Sequence, residues 1–526
     1  MLTAQQRVAG LSPDLVRRLQ AVEHALQQGR VEAAERDVAA ALAAAPKHPE
    51  VLRLFAVIQS LRGRPHEAIQ ALQQANAQRP TDAIIYNALA GVYERVNDFG
   101  RAREALQRAC ELGPDLAPCW FNYGWRLYVD GDIDAAVPVL QRAATLAPQD
   151  AQTRSLLADA LNADGNPQAA ALEYRRIIAD LPGTGSGTAW WGLATLKPTP
   201  LTRDDVVTLR ELVDDSATAE NDRITLGFAL AMALENQGEF VEAFARMNTA
   251  HALARRSEPY DAVAFRRRID ELLAAFMPAP AGTTEPQGGE VIFIVSLPRS
   301  GSTLTEQILA AHSNVQGGAE LVDLPQTILD ESARVQQPFP QWVRTHTPEQ
   351  WRALGQRYLA RTARWRRQHP RFTDKTPGNW LYVGAILAML PQARIVVCRR
   401  DPLETCLACY RYMYRRHPYT HDFSDLAARW HDFDRAIQHW KTLYPGRVHE
   451  QIHEDLIAEP EAQIRELLGF CNLQFEESCL NFHASERRVT TPSAAQVREP
   501  LRQDTARAAK YGALLDPLRA ALARAS

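Results

Sequence analysis

Small and apolar positions in the first 185 residues recur with a strict period of 34. Ala34, Ala68, Ala102, Ala136 and Ala170 fall in register. So do Val22, Ala56, Ala90, Gly124 and Ala158, where two helices of one unit would cross closely, and Ala41, Ala75, Ala109, Ala143 and Ile177, which would face the next unit. A turn residue recurs between the helices as Gly29, Gly63, Asn97, Gly131 and Gly165, types that tolerate positive φ, and Pro46, Pro80, Pro114, Pro148 and Pro182 close the units. The pattern predicts about five helix pairs over residues 15–184, stacked as a solenoid with a concave groove that Tyr86, Asn87, Trp120, Asn122 and Tyr123 would line. A more divergent pair is expected over residues 226–254, where Gly238 and Ala243 repeat the offset between Gly29 and Ala34.

The periodicity ends at residues 278–289, a Pro- and Gly-rich stretch that reads as a linker. The unbroken apolar run Val291-Ile292-Phe293-Ile294-Val295 then predicts a strand buried on both faces, followed by Ser296-Leu297-Pro298-Arg299-Ser300-Gly301-Ser302-Thr303 and a helix over 304–311. Strand, loop and helix in this order form a phosphate-binding loop: backbone N–H groups and a helix N-terminus converge on one point, and Arg299, Ser302 and Thr303 add side-chain donors. Compared with the triphosphate pattern G-x-x-x-x-G-K-[ST], Gly301 and Thr303 remain, but Ser296 stands for the first glycine and Ser302 for the lysine. The missing lysine suits a nucleotide with a shorter 5′ chain and disfavours a P-loop kinase, which stays open as an alternative.

Composition narrows the chemistry further. The 526 residues are 46% hydrophobic and 23% charged, enough for more than one core. A net charge of −3 gives no general pull toward nucleic acid or acidic lipid, so an anion site has to be a local arrangement. Seven scattered cysteines fit reduced thiols. The start Met1-Leu2-Thr3-Ala4-Gln5-Gln6-Arg7 lacks a secretory layout, and no stretch approaches the ~20 apolar residues of a membrane span, so the expected location is cytoplasmic, with no membrane partner.

The 34-residue pattern resembles tetratricopeptide repeats. Pro298-Arg299-Ser300-Gly301-Ser302-Thr303 resembles the 5′-phosphosulfate loop of sulfotransferases, nearest to the tyrosylprotein sulfotransferases and their repeat-fused bacterial relatives. The likeness continues through Gly318-Ala319-Glu320, Asp374-Lys375-Thr376-Pro377, residues 393–405 and Ser493-Ala494-Ala495-Gln496-Val497. The resulting expectation is an all-α solenoid followed by an α/β P-loop-type domain with a mostly parallel sheet. The expected limits are repeats at 1–185, a helical extension with a divergent repeat at 186–277, a linker at 278–289 and a sulfotransferase domain at 290–526.

The resemblance also implies roles. The co-substrate would be 3′-phosphoadenosine 5′-phosphosulfate, with no metal, and the acceptor a hydroxyl, tyrosine in a protein or peptide being favoured. Arg299, Ser300, Gly301, Ser302 and Thr303 would hold the 5′-phosphosulfate. Glu320 would be the general base, Lys375 would donate to the bridging oxygen as charge builds on the leaving phosphate, and Ser493 would contact the sulfuryl group. Arg400 would hold the 3′-phosphate, and Gln496 and Val497 would cover the nucleotide. Glu320 and Lys375 are expected on either side of the sulfur. The family pairs its arginine with a serine eight residues on, where this chain has Ala408; either Cys409 or Tyr412 compensates or the 3′-phosphate affinity is lower, one lost hydrogen bond to a charged group costing about 1.5 to 3 kcal/mol. Residues 503–511 also lack the glycine and tryptophan expected near the adenine, which keeps a non-catalytic binding protein with a degenerate domain as a second alternative. The repeats would bind the acceptor, or else support or dimerise the second domain.

Three further signals carry less. His449-Glu450-Gln451-Ile452-His453 satisfies H-E-x-x-H, a zinc pattern on a helix, yet its context argues for a strand, which would separate the histidines by about 13 Å. Cys406-Leu407-Ala408-Cys409 has no second pair at zinc spacing and reads as buried helix cysteines. The five arginines over 361–371 read as a solvated helix face rather than a nucleic-acid site.

Overall fold

The structure, a computed structural model, describes residues 3–181, 186–197, 201–485, 487, 496–502 and 506–524. The chain divides into two compact units, Met1–Ala189 and Trp190–Ser526.

The first unit is five antiparallel helix pairs: Pro13–Gln27 with Val31–Ala44, Pro49–Leu61 with Pro65–Gln78, Ala83–Arg95 with Phe99–Leu112, Ala117–Val129 with Ile133–Leu146, and Ala151–Ala163 with Pro167–Asp180. Every residue of the two alanine rows is fully buried, Ile177 included. The five turn residues all adopt positive φ, from 57° at Asn97 to 89° at Gly165. That conformation costs a side chain with Cβ about 1 kcal/mol or more, hence four glycines and an asparagine. At Gly124 a Cβ would stand 2.4 Å from Leu140 Cδ2, so the close crossing of the fourth pair depends on glycine.

The second unit opens with helices, including the pair Glu220–Asn236 and Phe240–Ser257, joined through Gly238 at φ 86°. Residues 278–289 form neither helix nor strand. They lie along the Val383–Met389 helix, where Thr283 N–H donates to Ala388 O at 2.9 Å and Gln287 Nε2 to Met389 O at 2.6 Å.

Five parallel strands follow: β1 Val291–Ser296, β2 Val315–Gly317, β3 Arg371–Asp374, β4 Arg394–Arg399 and β5 Val448–Ile452, in the order β2-β3-β1-β4-β5. β1 is buried along its whole length, as its unbroken apolar run requires. Alternation divides its side chains between two cores. Val291, Phe293 and Val295 join Phe372, Ile395 and Val397 with the buried tryptophans 342, 351, 380 and 440. Ile292 and Ile294 join Val396, Cys398, Ile308 and Leu309 on the other face. The helix after β1 begins at Ser302 and ends at Ala310, and the segment after Asp374 is a 3-10 turn, Pro377–Tyr382, leading into the Val383–Met389 helix. Among the described residues no helix is long and apolar enough to cross a membrane.

Candidate active site

In an open parallel sheet the crevice lies beyond the carboxyl ends of the strands, and here every strand ends on a residue of interest. β1 leads into the loop 297–301, β2 into Gly318-Ala319-Glu320, β3 into Lys375, β4 into Arg400 and β5 into His453. A cavity of about 520 Å³ opens there, lined by Arg299, Gly301, Ser302, Thr303, Glu320 and Arg400 among others. Its size suits a small-molecule ligand. Val497 also lines it, whereas Ser300 and Lys375 are buried and are not among the lining residues. The Gln496 side chain and Ser493 lie outside the described residues.

The loop has an anion-binding shape. Arg299 at φ 67° and Gly301 at φ 91° are both left-handed, a geometry that turns neighbouring N–H groups toward one point, and Ser302 starts the helix immediately behind them. A Cβ on Gly301 would stand 3.1 Å from His453 Nδ1, so the bare glycine lets the imidazole pack on the loop. Among the buried polar atoms of the wall, Ser296 Oγ and His453 Nδ1 have no hydrogen-bond partner among the described residues. Burial and the charge of Arg400 push the His453 imidazole down to about 4, so it is neutral at physiological pH.

The two candidates for proton transfer touch. Lys375, fully buried, donates Nζ–H to Glu320 Oε1 at 2.8 Å, while the Glu320 side chain is 54% exposed to the cavity. They meet in a direct ion pair because β2 and β3 are neighbours and their carboxyl ends emerge side by side.

The bend that carries Glu320 is tightly built. Gly318 has no room for a Cβ, which would fall 2.2 Å from Thr373 O, and Ala319 is left-handed at φ 61°. Glu306, on the helix behind the phosphate loop, accepts from Ala319 N–H at 2.8 Å and from Thr373 Oγ1 at 2.9 Å, and pairs with Arg487 at 3.2 Å. Burial alone would raise its pKa, but Arg487, Lys375 and these hydrogen bonds prevail, holding the carboxyl below its ordinary value. Beside Lys375, Asp374 accepts from Tyr358 Oη at 2.9 Å, Thr376 Oγ1 at 3.0 Å and Asn379 Nδ2 at 3.1 Å; burial pushes it up to about 7. No motif pointed to Glu306 or to Arg487; the only sequence trace of the first is a charged residue among helix positions that turn out to be buried.

At the end of β4, Arg400 Nη2 donates to Glu404 at 3.2 Å, and Ala408 lines the cavity. Cys409 directs its thiol to Pro298 O at 3.3 Å, and the Tyr412 ring lies under the Arg299 guanidinium, 5.7 Å away. Both residues thus brace the phosphate loop. Cys406 and Cys409 are buried on the Pro402–Tyr410 helix. His449 lies on β5 and stacks on Phe470 at 5.1 Å, whereas His453 opens the next helix, so the two imidazoles share no helix face. In the arginine run, Arg364 pairs with Asp323 and Arg361 with Asp330, while Arg366 and Arg371 donate to the carbonyls of Leu359 and Cys471.

Comparison with known proteins agrees with this architecture. Residues 25–90, 83–116 and 123–183 match tetratricopeptide-repeat models, and residues 291–477 match a model described as the sulfotransferase family. An Aquifex aeolicus (strain VF5) protein, named only as uncharacterized, is 31% identical over 333 residues, which cover 60% of this chain and 44% of that protein. This chain therefore spans less than half the length of that relative. A Caenorhabditis briggsae protein, provisionally named a protein-tyrosine sulfotransferase, is 26% identical over 208 residues, 37% of this chain and 69% of the relative. Among solved structures, the sulfotransferase domain of the Synechococcus PCC 7002 olefin synthase covers 43% of this chain and 95% of its own, with 22% identity and a TM-score of 0.30. The chain is thus an array of tetratricopeptide repeats followed by a domain of the sulfotransferase family.

Proposed function

We propose that the chain moves the sulfuryl group of 3′-phosphoadenosine 5′-phosphosulfate to a hydroxyl acceptor, with tyrosine in a protein or peptide as the favoured class. The observation that carries this reading is the convergence, at one end of the sheet, of a left-handed anion loop, the Glu320–Lys375 pair and Arg400 around a single cavity. Ser296 Oγ, buried in its wall with no partner among the described residues, suits a ligand rich in acceptor oxygens.

In this reading Arg299 and the N–H groups of residues 300–303 bind the phosphosulfate, and Arg400 binds the 3′-phosphate. Glu320 takes the proton of the acceptor hydroxyl as the new S–O bond forms. Lys375 donates to the bridging oxygen as the old S–O bond breaks and charge passes to the phosphate. An ammonium has three donors, so Lys375 can keep one on Glu320 while another meets that oxygen. Val497 and Gln496 cover the nucleotide, and Ser493 contacts the sulfuryl group by resemblance alone. A metal is not needed for this division of labour. Ser302 in place of the P-loop lysine speaks against a kinase. The half-buried Tyr86, Trp120 and Tyr123 of the repeats, with the Asn122–Asn87 hydrogen bond of 2.9 Å among them, offer the acceptor an amphipathic face.

Incubating the full chain with the ³⁵S-labelled donor and tyrosine-containing or serine-containing peptides tests the reading. The unaltered chain is expected to label tyrosine, and Glu320→Ala to transfer at least a hundredfold more slowly, about the weight of one general base, while still binding adenosine 3′,5′-bisphosphate. Transfer at the parental rate by Glu320→Ala would remove the base from the mechanism.

A further inference from the structure

Lys197 belongs to no motif and lies outside residues 291–477, yet it lines the same cavity as Arg299 and Arg400. It stands just beyond the Ser186–Thr195 helix, in the helical segment that precedes the sheet. Arg411, Arg502 and Arg507 line the cavity with it.

Two carboxylates order this group. Glu404 Oε1 accepts from the backbone N–H groups of Arg507 and Ala508 at 2.8 and 2.7 Å, while its other oxygen takes Arg400 Nη2, which fixes residue 507 beside Arg400. Glu235, buried on the Glu220–Asn236 helix, accepts from Arg411 and, at 3.5 Å, from Arg507 Nη1. Glu404 and Glu235 thereby hold arginines in place.

The wall as a whole sets seven lysines and arginines against three glutamates, in a chain whose net charge is −3. Lys197 itself is exposed and lines the cavity. Desolvation there, together with the charges of Arg507, Arg299, Arg411 and Arg502, holds its ammonium below the usual lysine range. Glu235 and Glu404 offset part of the repulsion at Arg411, Arg507 and Arg400, and an anion bound among these cations would relieve more of it. Meanwhile Ala408 offers no donor where the family has a serine beside the 3′-phosphate, and Cys409 turns its thiol to Pro298.

We propose that the helical segment before the sheet completes the nucleotide site: Lys197, with Arg507 and Arg411 braced by Glu404 and Glu235, forms a phosphate-monoester subsite that takes the 3′-phosphate beside Arg400. This rests on the co-substrate reading above. A phosphate monoester carries about two negative charges near neutral pH and three acceptor oxygens, more than one guanidinium can satisfy. Ala408 is then no defect, because the missing hydroxyl is replaced by an ammonium from outside the family domain.

Calorimetric titration of the full chain with adenosine 3′,5′-bisphosphate and with adenosine 5′-monophosphate separates the two ends of the ligand. The unaltered chain is expected to prefer the bisphosphate. Lys197→Ala is expected to cut that preference about tenfold or more, the weight of one charged hydrogen bond, with affinity for the monophosphate unchanged, and Lys197→Arg to keep most of it. Since Lys197 is exposed, its truncation leaves the fold intact. An unchanged preference, the outcome if the cluster serves an anionic acceptor instead, overturns the subsite, as does an equal loss for both nucleotides. Failure of the unaltered chain to bind either nucleotide overturns the underlying co-substrate reading, and the subsite with it.

Discussion

Replacing Glu306 by alanine is expected to loosen the bend that carries Glu320, with a magnitude set by its surroundings. The side chain is 1% exposed and pairs with Arg487, itself 16% exposed. Removing one member of a buried ion pair costs about 3–5 kcal/mol, because the remaining charge is left uncompensated. Arg487 keeps some access to water and a second acceptor in Gln307 Oε1 at 3.1 Å, so about 3 kcal/mol is expected. The bonds to Ala319 N–H and Thr373 Oγ1 belong to the same network, and their loss does not add in full. Glu306→Gln is the informative control: its carbonyl can retain both bonds, so it loses the charge without the geometry. Urea unfolding followed by tryptophan fluorescence reads the effect through Trp342, Trp351, Trp380 and Trp440, all buried in the core of the sheet. At about 1–3 kcal/mol per molar urea, the midpoint should fall by about 1 M or more for alanine and by less for glutamine. Ala319 holds a left-handed conformation that its own Cβ disfavours, and the Glu306 bond helps keep it there. Folded Glu306→Ala should therefore lose turnover more than bisphosphate affinity. An unchanged unfolding midpoint in Glu306→Ala would refute this account of the bend.

Three further substitutions probe burial and its absence. The folded chain binds a proton at Asp374 up to about pH 7, whereas the unfolded chain releases it near 4, so the stability associated with this group is fully present below about pH 4 and declines as pH rises through 7. The decline amounts to about 4 kcal/mol, and Asp374→Asn, which imitates the protonated shape, should gain stability over the parent progressively from about pH 4 to about pH 7 and level off above it in urea titrations; a constant difference would count against the raised carboxyl. In the repeats, Gly91 has open space around its Cβ position and Gly124 has Leu140 at 2.4 Å. Gly91→Ala should raise the thermal midpoint by stabilising its helix about 1 kcal/mol, and Gly124→Val should lower it through overpacking of about 1–3 kcal/mol.

These predictions draw on contacts of unequal visibility in the chain. The repeat array was legible because one helix pair recurs and its register residues must do the same job each time: Ala34, Ala68, Ala102, Ala136 and Ala170 are all fully buried. The strand-and-loop motifs were legible for a related reason, since a parallel sheet sends its chemistry to the carboxyl ends and a short motif marks each end. Strand order is another matter. It decides which ends are neighbours, and nothing in the local pattern of Val315–Gly317 or Arg371–Asp374 states that these two strands pair, so the Glu320–Lys375 contact could not be read in advance. Residues that act only through distant partners were hidden altogether. Glu306 meets Arg487 across 181 positions and Arg507 meets Glu404 across 103, and each looks locally like an ordinary charged residue. Local pattern reports that a position is buried or polar; the partner that gives a buried charge its meaning is supplied by the fold. That is why the family motifs led to one cavity at the carboxyl ends of the strands, while Lys197, which would bind the 3′-phosphate without belonging to any of them, emerged only from the packing of the whole unit.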